Sequence, residues 1–186
     1  NGVRKDDILR EVLGERAVMG GACYIAAQIA EPGVIRHSGT MQKLVFGEYD
    51  AKPSTRAEAF LDACRRGGIE AEISADIRRT IWEKFVFLVG LSGTTTCIRK
   101  PIGPIRSNPR TRALIHDAMR EVVAVGRAQG VQLAEEFADL RFETLLLLGQ
   151  LLQSLGPVGG GVAQQGRRFL RRLDHVVGEQ VFELGG

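Results

Sequence analysis

The chain has 186 residues, 44% of them hydrophobic and 25% charged, which suits one large globular domain or two small ones. Its 25 Lys and Arg against 22 Asp and Glu leave a net charge of +3. That surplus is too small and scattered for the concentrated basic face that nucleic acid demands. No apolar run approaches the roughly 18 residues that span a bilayer. Cys23, Cys64 and Cys97 form no CxxC pair, so a disulfide framework or zinc knuckle is not expected and a reduced, cytoplasmic setting fits best. There is no signal peptide, and no initiator Met marks Asn1 as the true start.

The first 74 residues alternate between helical and strand patterns. Asp6 to Leu13 reads as a short helix closed by Gly14. Ala17 to Ala27 is nearly all apolar, the pattern of a strand covered on both faces, and Gly20-Gly21 within it suggests a close backbone approach. Pro32-Gly33 is a turn signal. Val34 to His37 and Lys43 to Tyr49 then read as two strands separated by Ser38-Gly39-Thr40. Ser54 is a candidate N-cap for a helix reaching Arg66 before Gly67-Gly68. Ile69 to Ile73 alternates strictly, as a half-exposed strand does.

From Ser74 the apolar period becomes helical. Ser74 is placed to cap a long helix through Ile77, Ile81, Phe85, Leu88 and Ser92, and the all-apolar Phe85 to Leu91 predicts a buried central helix. A polar, Pro-rich connector runs from Thr94 to Ser107. Asn108-Pro109 is a strong helix start, leading through Ala113, Ile115, Met119, Val122 and Val125 to Gly130. Another helix is expected from Ala134 to about Leu152. Pro157 to Gly161 reads as a loop, and Arg167 to Phe182 as a candidate last helix. The expected domains are therefore 1–74 and 75–186, an α/β part followed by an all-α part. A cleft between two domains is the usual place for a small-molecule site.

No stretch matches GxxxxGK[ST], HExxH or GxSxG, and Gln164 breaks the GxGxxG spacing after Gly159. His37, His116 and His175 lie far apart and read as surface or turn residues, with no metal site. Lys84 stands out, because a lysine at the mouth of an apolar helix needs explaining. On one account it snorkels along Trp82 and Leu88 with its ammonium in water. On the other its ammonium is partly desolvated in a cleft, which lowers its pKa and makes it a better proton donor. Asn1-Gly2 by itself is a turn signal, although a side-chain amide can also orient a carbonyl or a nicotinamide.

Four stretches together resemble the ketopantoate reductase family. They are Asn1-Gly2-Val3; Gly20 to Ala27 followed by Glu31 to His37; Asp76-Ile77-Arg78-Arg79 to Trp82-Glu83-Lys84; and Asn108-Pro109 to Gly130. The likeness covers about residues 1 to 140. It implies the C-terminal part of a Rossmann-like domain followed by a helical domain like the C-terminal one of 6-phosphogluconate dehydrogenase. It also implies an oxidoreductase that reduces a 2-oxo acid with NADPH, as a cytoplasmic enzyme able to form a homodimer. Carried over position by position, the family's proton-donating lysine matches Lys84. Its asparagine that touches nicotinamide and substrate matches Asn1, and a backbone cofactor contact falls near Ala26.

Three substrate-binding asparagines of the family correspond to Leu88, Ser92 and Ile102. Only Ser92 keeps a hydrogen-bonding group for the substrate. An unpartnered buried polar group costs about 1–3 kcal/mol, so a more apolar 2-oxo acid is a natural variant substrate. The family's late serine and glutamate have no counterpart recognisable after about Phe142. Glu179 and Glu183 are not assigned to that role, and the tail has the character of a frameshifted or degraded gene end. The family's glycine-rich pyrophosphate loop does not occur in these residues, so tight NADPH binding by this stretch alone is not expected and a partial chain is. The competing expectation is a non-catalytic helical interaction module or a remnant of such a reductase, with Phe85 to Leu91 as a dimer face. Binding of nucleic acid through Arg167-Arg168 and Arg171-Arg172 is the weakest reading, since such runs are more often solvated.

Overall fold

A computed structural model describes residues 2–154. Asn1 lies outside the described residues, as do the expected loop at Pro157, the helix from Arg167, His175, Glu179 and Glu183. By packing, the described residues divide into a unit of residues 2–89 and 122–133 and a second of residues 90–121 and 134–154. This division falls well after residue 74, because the helix beginning at Ile77 packs on the sheet.

The sheet unit opens with α1 (Lys5–Leu13), which ends where Gly14 takes φ 86° and donates its N–H to the Arg10 carbonyl. After a short 3₁₀ turn, β1 (Gly20–Glu31) and β2 (Val34–Gly47) form an antiparallel hairpin. Pro32 presets its turn and Gly33 takes φ 82°, which a β-carbon would oppose. The two predicted strand runs are thus one strand. Ala27 pairs with His37 but Ile25 pairs with Gln42, so residues 38–41 bulge out of β2 without ending it. His37 Nε2 lies 2.9 Å from the Met41 carbonyl oxygen across that bulge.

A crossover through α2 (Thr55–Arg66) makes β3 (Glu70–Ile73) parallel to β2, giving the sheet order β1-β2-β3. Ser54 caps α2 as expected, its Oγ accepting from the Ala57 N–H. One sheet face packs Phe46 against Ala57 and Leu61 of α2. The other packs Ala22 and Val45 against Ile77 and Ile81 of α3 (Ile77–Leu88). Asp76 caps α3 instead of Ser74: its carboxylate accepts from the Arg79 N–H at 2.9 Å, and the Ser74 hydroxyl accepts from the Asp76 N–H.

Three further expectations change here. β1 starts at Gly20 and runs on to Glu31, and it is not covered on both faces, since every residue from Ala27 to Glu31 is exposed. Of the two glycines, Gly20 alone is tightly approached: a β-carbon there would lie 2.7 Å from Ile77 Cγ1, whereas at Gly21 nothing comes nearer than 3.9 Å. The buried stripe of α3 is Ile77, Ile81, Trp82 and Val86, while Phe85, Phe87 and Leu88 are half-buried. Trp82 is held by Gly126, where a β-carbon would lie 2.9 Å from the indole.

In the helical unit the long helix predicted through Ser92 does not continue as an α-helix. Val89–Gly93 forms a π turn, followed by α4 (Thr94–Ile98). Gly90 leaves no room for a β-carbon beside Met119, and the Thr94 and Thr95 hydroxyls donate back to the Gly90 and Leu91 carbonyls. Part of the predicted connector is helical as well. α5 (Ile102–Ser107) is anchored by buried Ile105, with Pro104 tolerated in its first turn. Asn108 and Pro109 start α6 (Pro109–Ala128), the Asn108 amide oxygen accepting from the Arg110 N–H at 2.9 Å. Its buried stripe is Ile115, Met119 and Val123; Ala113 and Val125 are exposed. The last described helix is α7 (Phe137–Ser154), starting three residues later than expected. His116 Nε2 of α6 lies 2.5 Å from the Asp139 carboxylate of α7.

Candidate active site around Lys84

Lys84 lies on α3 three residues after Ile81 and seven after Ile77, on the helix face that packs on the sheet. Its ammonium donates to the Cys23 carbonyl of β1 and sits 5.2 Å from the centroid of the Tyr24 ring. The side chain thus reaches across to a strand, where its ammonium has a main-chain partner that the snorkelling account did not include. No carboxylate lies within ion-pair distance of it among the described residues. Burial holds its pKa below the ordinary lysine value; Cys23 opposes that shift and the Lys5 ammonium adds to it. A half-buried cation with a lowered pKa and N–H groups to spare beyond its one carbonyl contact is suited to give a proton to an incoming oxygen.

Strand periodicity places Ala26 on the same face of β1 as Tyr24. It is half-buried, opposite the point where β2 bulges. Leu88 is the last residue of α3. Ser92 is exposed within the π turn of the helical unit, and Ile102 is half-buried at the start of α5. Lys84 and Ala26 thus fall within the sheet unit, while Ser92 and Ile102 belong to the other. Sequence reasoning missed Cys23 and Tyr24. The alternation along β1 could have put Tyr24 on the Ala22 face, but no local signal ties it to a lysine 60 positions away.

A separate cavity of about 360 Å³ in the sheet unit is lined by Arg4, Asp7, Arg10, Arg78, Tyr49 and Trp82, among others, and not by Lys84. Arg10 stacks on the Tyr49 ring at 3.7 Å. The Tyr49 hydroxyl donates to buried Asp6, which also pairs with Lys5 at 2.5 Å. Burial and the Asp6 carboxylate raise the Tyr49 pKa, so this corner stays un-ionised at its phenol and serves to hold α1 to the sheet. Among the described residues no group of three His, Cys, Asp or Glu is placed to hold a metal ion, and no helix is long and apolar enough to cross a membrane.

Two family models, described as "Ketopantoate reductase PanE/ApbA" and "Ketopantoate reductase PanE/ApbA C terminal", match residues 1–51 and 76–152 respectively. The chain belongs to the ketopantoate reductase family. The C-terminal match runs to residue 152, beyond the residues 1 to about 140 that the likeness covers in sequence. The chain is 29% identical over 156 residues to an uncharacterized oxidoreductase, YkpB, of Bacillus subtilis, covering 83% of this chain and 51% of that protein. It is 28% identical over 139 residues to a 2-dehydropantoate 2-reductase of Halobacterium salinarum, covering 75% and 46%. In fold it is similar to a crystal structure of 2-dehydropantoate 2-reductase from Porphyromonas gingivalis, with TM-score 0.71 and 22% identity over 91% of this chain and 61% of that one. The chain spans about half the length of the curated relatives it matches.

Proposed function

We propose that the protein carrying this chain reduces a 2-oxo acid with NADPH in the cytoplasm, the substrate being 2-dehydropantoate or a more apolar relative, and that Lys84 is its proton donor. The observation that carries this reading is the place of Lys84: a half-buried ammonium, unpaired with any described carboxylate, held by a main-chain carbonyl at the edge of a sheet. Membership of a reductase family supplies the reaction class. In such a reaction a bound nicotinamide supplies the hydride to the carbonyl carbon. The Lys84 ammonium passes one N–H proton to the carbonyl oxygen, giving the alcohol and a neutral amine that recovers a proton from water.

The other assignments follow from the same reading. Ala26 contributes a main-chain contact to the cofactor, Asn1 its amide to nicotinamide and substrate, and Ser92 a hydroxyl to the substrate. Apolar Leu88 and Ile102 select a substrate with fewer polar groups. The described residues do not themselves provide a pyrophosphate cradle. The link from β2 to α2, residues 48–54, contains no glycine, and the turn at Gly33 joins two antiparallel strands. Cofactor binding is therefore to be measured on the whole protein.

The test is Lys84→Ala in the full-length protein, assayed with NADPH against a panel of 2-oxo acids. Loss of a positioned general acid costs about 10²–10⁴-fold, so turnover should collapse while circular dichroism and cofactor affinity stay as in the parent. Undiminished turnover overturns the assignment. Light scattering on the same sample checks the homodimer, and self-association without any response to NADPH would favour the non-catalytic interaction module.

A further inference from the structure

Lys84 touches β1 in two ways of different kind. The Cys23 carbonyl is main chain, so that contact is available whatever side chains the strand carries. The Tyr24 ring is specific to its residue. It is half-buried and packs against the cluster of Ala22, Val45, Ile77 and Ile81, so the core of the sheet unit fixes where the ring stands. An aromatic face is the negative pole of the ring quadrupole and attracts a cation within about 6 Å of its centroid. The Lys84 ammonium lies inside that range at 5.2 Å.

The charged neighbours give the ammonium little else. Lys5, from α1, repels it. Lys43 of β2 stands opposite Tyr24 in register and is paired with Glu72 of β3 at 2.7 Å. Glu83, next to Lys84 on α3, is taken by Arg79 at 2.8 Å. Cys23 favours the charged form and opposes the Lys5 repulsion. The carboxylates nearest in sequence or register are thus engaged elsewhere, and beside Cys23 the Tyr24 ring face is a favourable side-chain contact of Lys84.

We propose that Tyr24 is a positioning residue for Lys84: its ring, backed by the core of the sheet unit, works with the adjoining Cys23 carbonyl to hold the ammonium against β1 for proton transfer. This rests on the reductase reading of Lys84. Tyr24 itself touches neither substrate nor cofactor in this proposal. Its role is to fix the donor in place and to offset the cost of holding a cation partly out of water.

The experiment compares Tyr24→Phe, which keeps the ring face, with Tyr24→Leu, which keeps apolar bulk and removes it. Lysines of the full-length protein are labelled with ¹³C at Cε, and the Lys84 signal is assigned by its loss in Lys84→Arg. The Phe variant should titrate as the parent does. The Leu variant should titrate at lower pH, with a matching displacement of its kcat–pH profile, a kcat reduced about tenfold and KM little changed. If the Leu variant does not fold, Tyr24→Met makes the same comparison. A Leu or Met variant whose Lys84 titration overlays the parent overturns the role of Tyr24, and so does a Phe variant displaced as far as Leu. A displaced titration together with full turnover in Lys84→Ala overturns the reductase reading instead, and with it the catalytic use of the contact.

Discussion

The two halves of the β1–β2 hairpin have similar apolar content and opposite fates. At the base, Ala22, Val45 and Phe46 are almost fully buried between α2 and α3. At the tip, Ile25, Ile29, Val34, Ile35 and Met41 are all exposed, Ile29 by 75%. The difference lies in reach. β3 pairs only with Lys43 to Phe46, and the described contacts of both helices with the hairpin fall at that same end. Composition makes a strand apolar, but neighbouring elements decide whether it is buried. Cys23 and Tyr24, the residues that hold Lys84, stand where cover ends, so the ammonium is anchored by the rigid base while its free N–H groups remain accessible.

The comparison is tested most severely at Gly20, which pairs with Gly47 at the bottom of the base. A methyl group at Gly20 would meet Ile77 Cγ1 at 2.7 Å and Tyr49 at 3.0 Å, and Ile77 is itself buried. Gly20→Ala should therefore cost about 1–3 kcal/mol, the usual price of overpacking. Gly21→Ala, on the other face with 3.9 Å of clearance, should change stability by no more than about 0.5 kcal/mol. Urea unfolding of the two variants checks this. Equal losses would mean that strand flexibility, not contact with α3, dictates glycine at both positions.

How much of this was legible in the sequence depends on how far each signal acts. Ser54, Asn108-Pro109 and Pro32-Gly33 were readable because each satisfies or bends backbone within three residues of itself. Ser74 misled because Asp76, two residues on, is a rival with the same chemistry, and only the final path of the chain chooses between them. The bulge at residues 38–41 looked like a loop because nothing local shows that pairing resumes on the same partner strand. The π turn at Val89–Gly93 depends on the approach of Met119 to Gly90, a contact between distant parts of the sequence. The site divides in the same way: Lys84 was conspicuous as a cation in an apolar run, whereas Cys23 and Tyr24, 61 and 60 positions away, gained their meaning only from the packing of α3 on β1.

A smaller effect is expected where β2 leaves the base. Glu48 receives two bonds of 2.6 Å from Arg56 in the first turn of α2 and one of 2.7 Å from Ser54. Arg56 also donates to the Arg16 carbonyl. These contacts, the Arg56 bond first, hold the Glu48 carboxyl down at about 2 from an ordinary 4.5. Because the folded-state value is the lower one, the stabilisation is complete above the unfolded value and is lost as the pH falls from about 4.5 towards 2. Glu48→Gln should cost about 1 kcal/mol at pH 7, the upper range for a solvent-accessible pair. The gap between the variant and the parent should narrow progressively below pH 4.5. A gap that persists unchanged at pH 2.5 would assign the cost to altered packing instead of charge.

The smallest effect belongs to the tip, and it is the one that isolates the lesson. Ile29 pairs directly with Ile35, and the two are 75% and 66% exposed. An exposed position gains little from apolar surface, so what Ile29 contributes is strand propensity and one cross-strand contact, together a few tenths of a kcal/mol. Ile29→Thr keeps the β-branch and should shift the unfolding midpoint by less than about 0.5 kcal/mol equivalent. Val45→Thr at the base introduces a hydroxyl into the packed layer between β2 and α3, where an unsatisfied polar group costs about 1–3 kcal/mol. Threonine introduced at two points of the same hairpin thus separates pairing from cover. If Ile29→Thr proves as costly as Val45→Thr, the tip is covered in the whole protein by something beyond the described residues, and Lys84 would then be enclosed from that side as well.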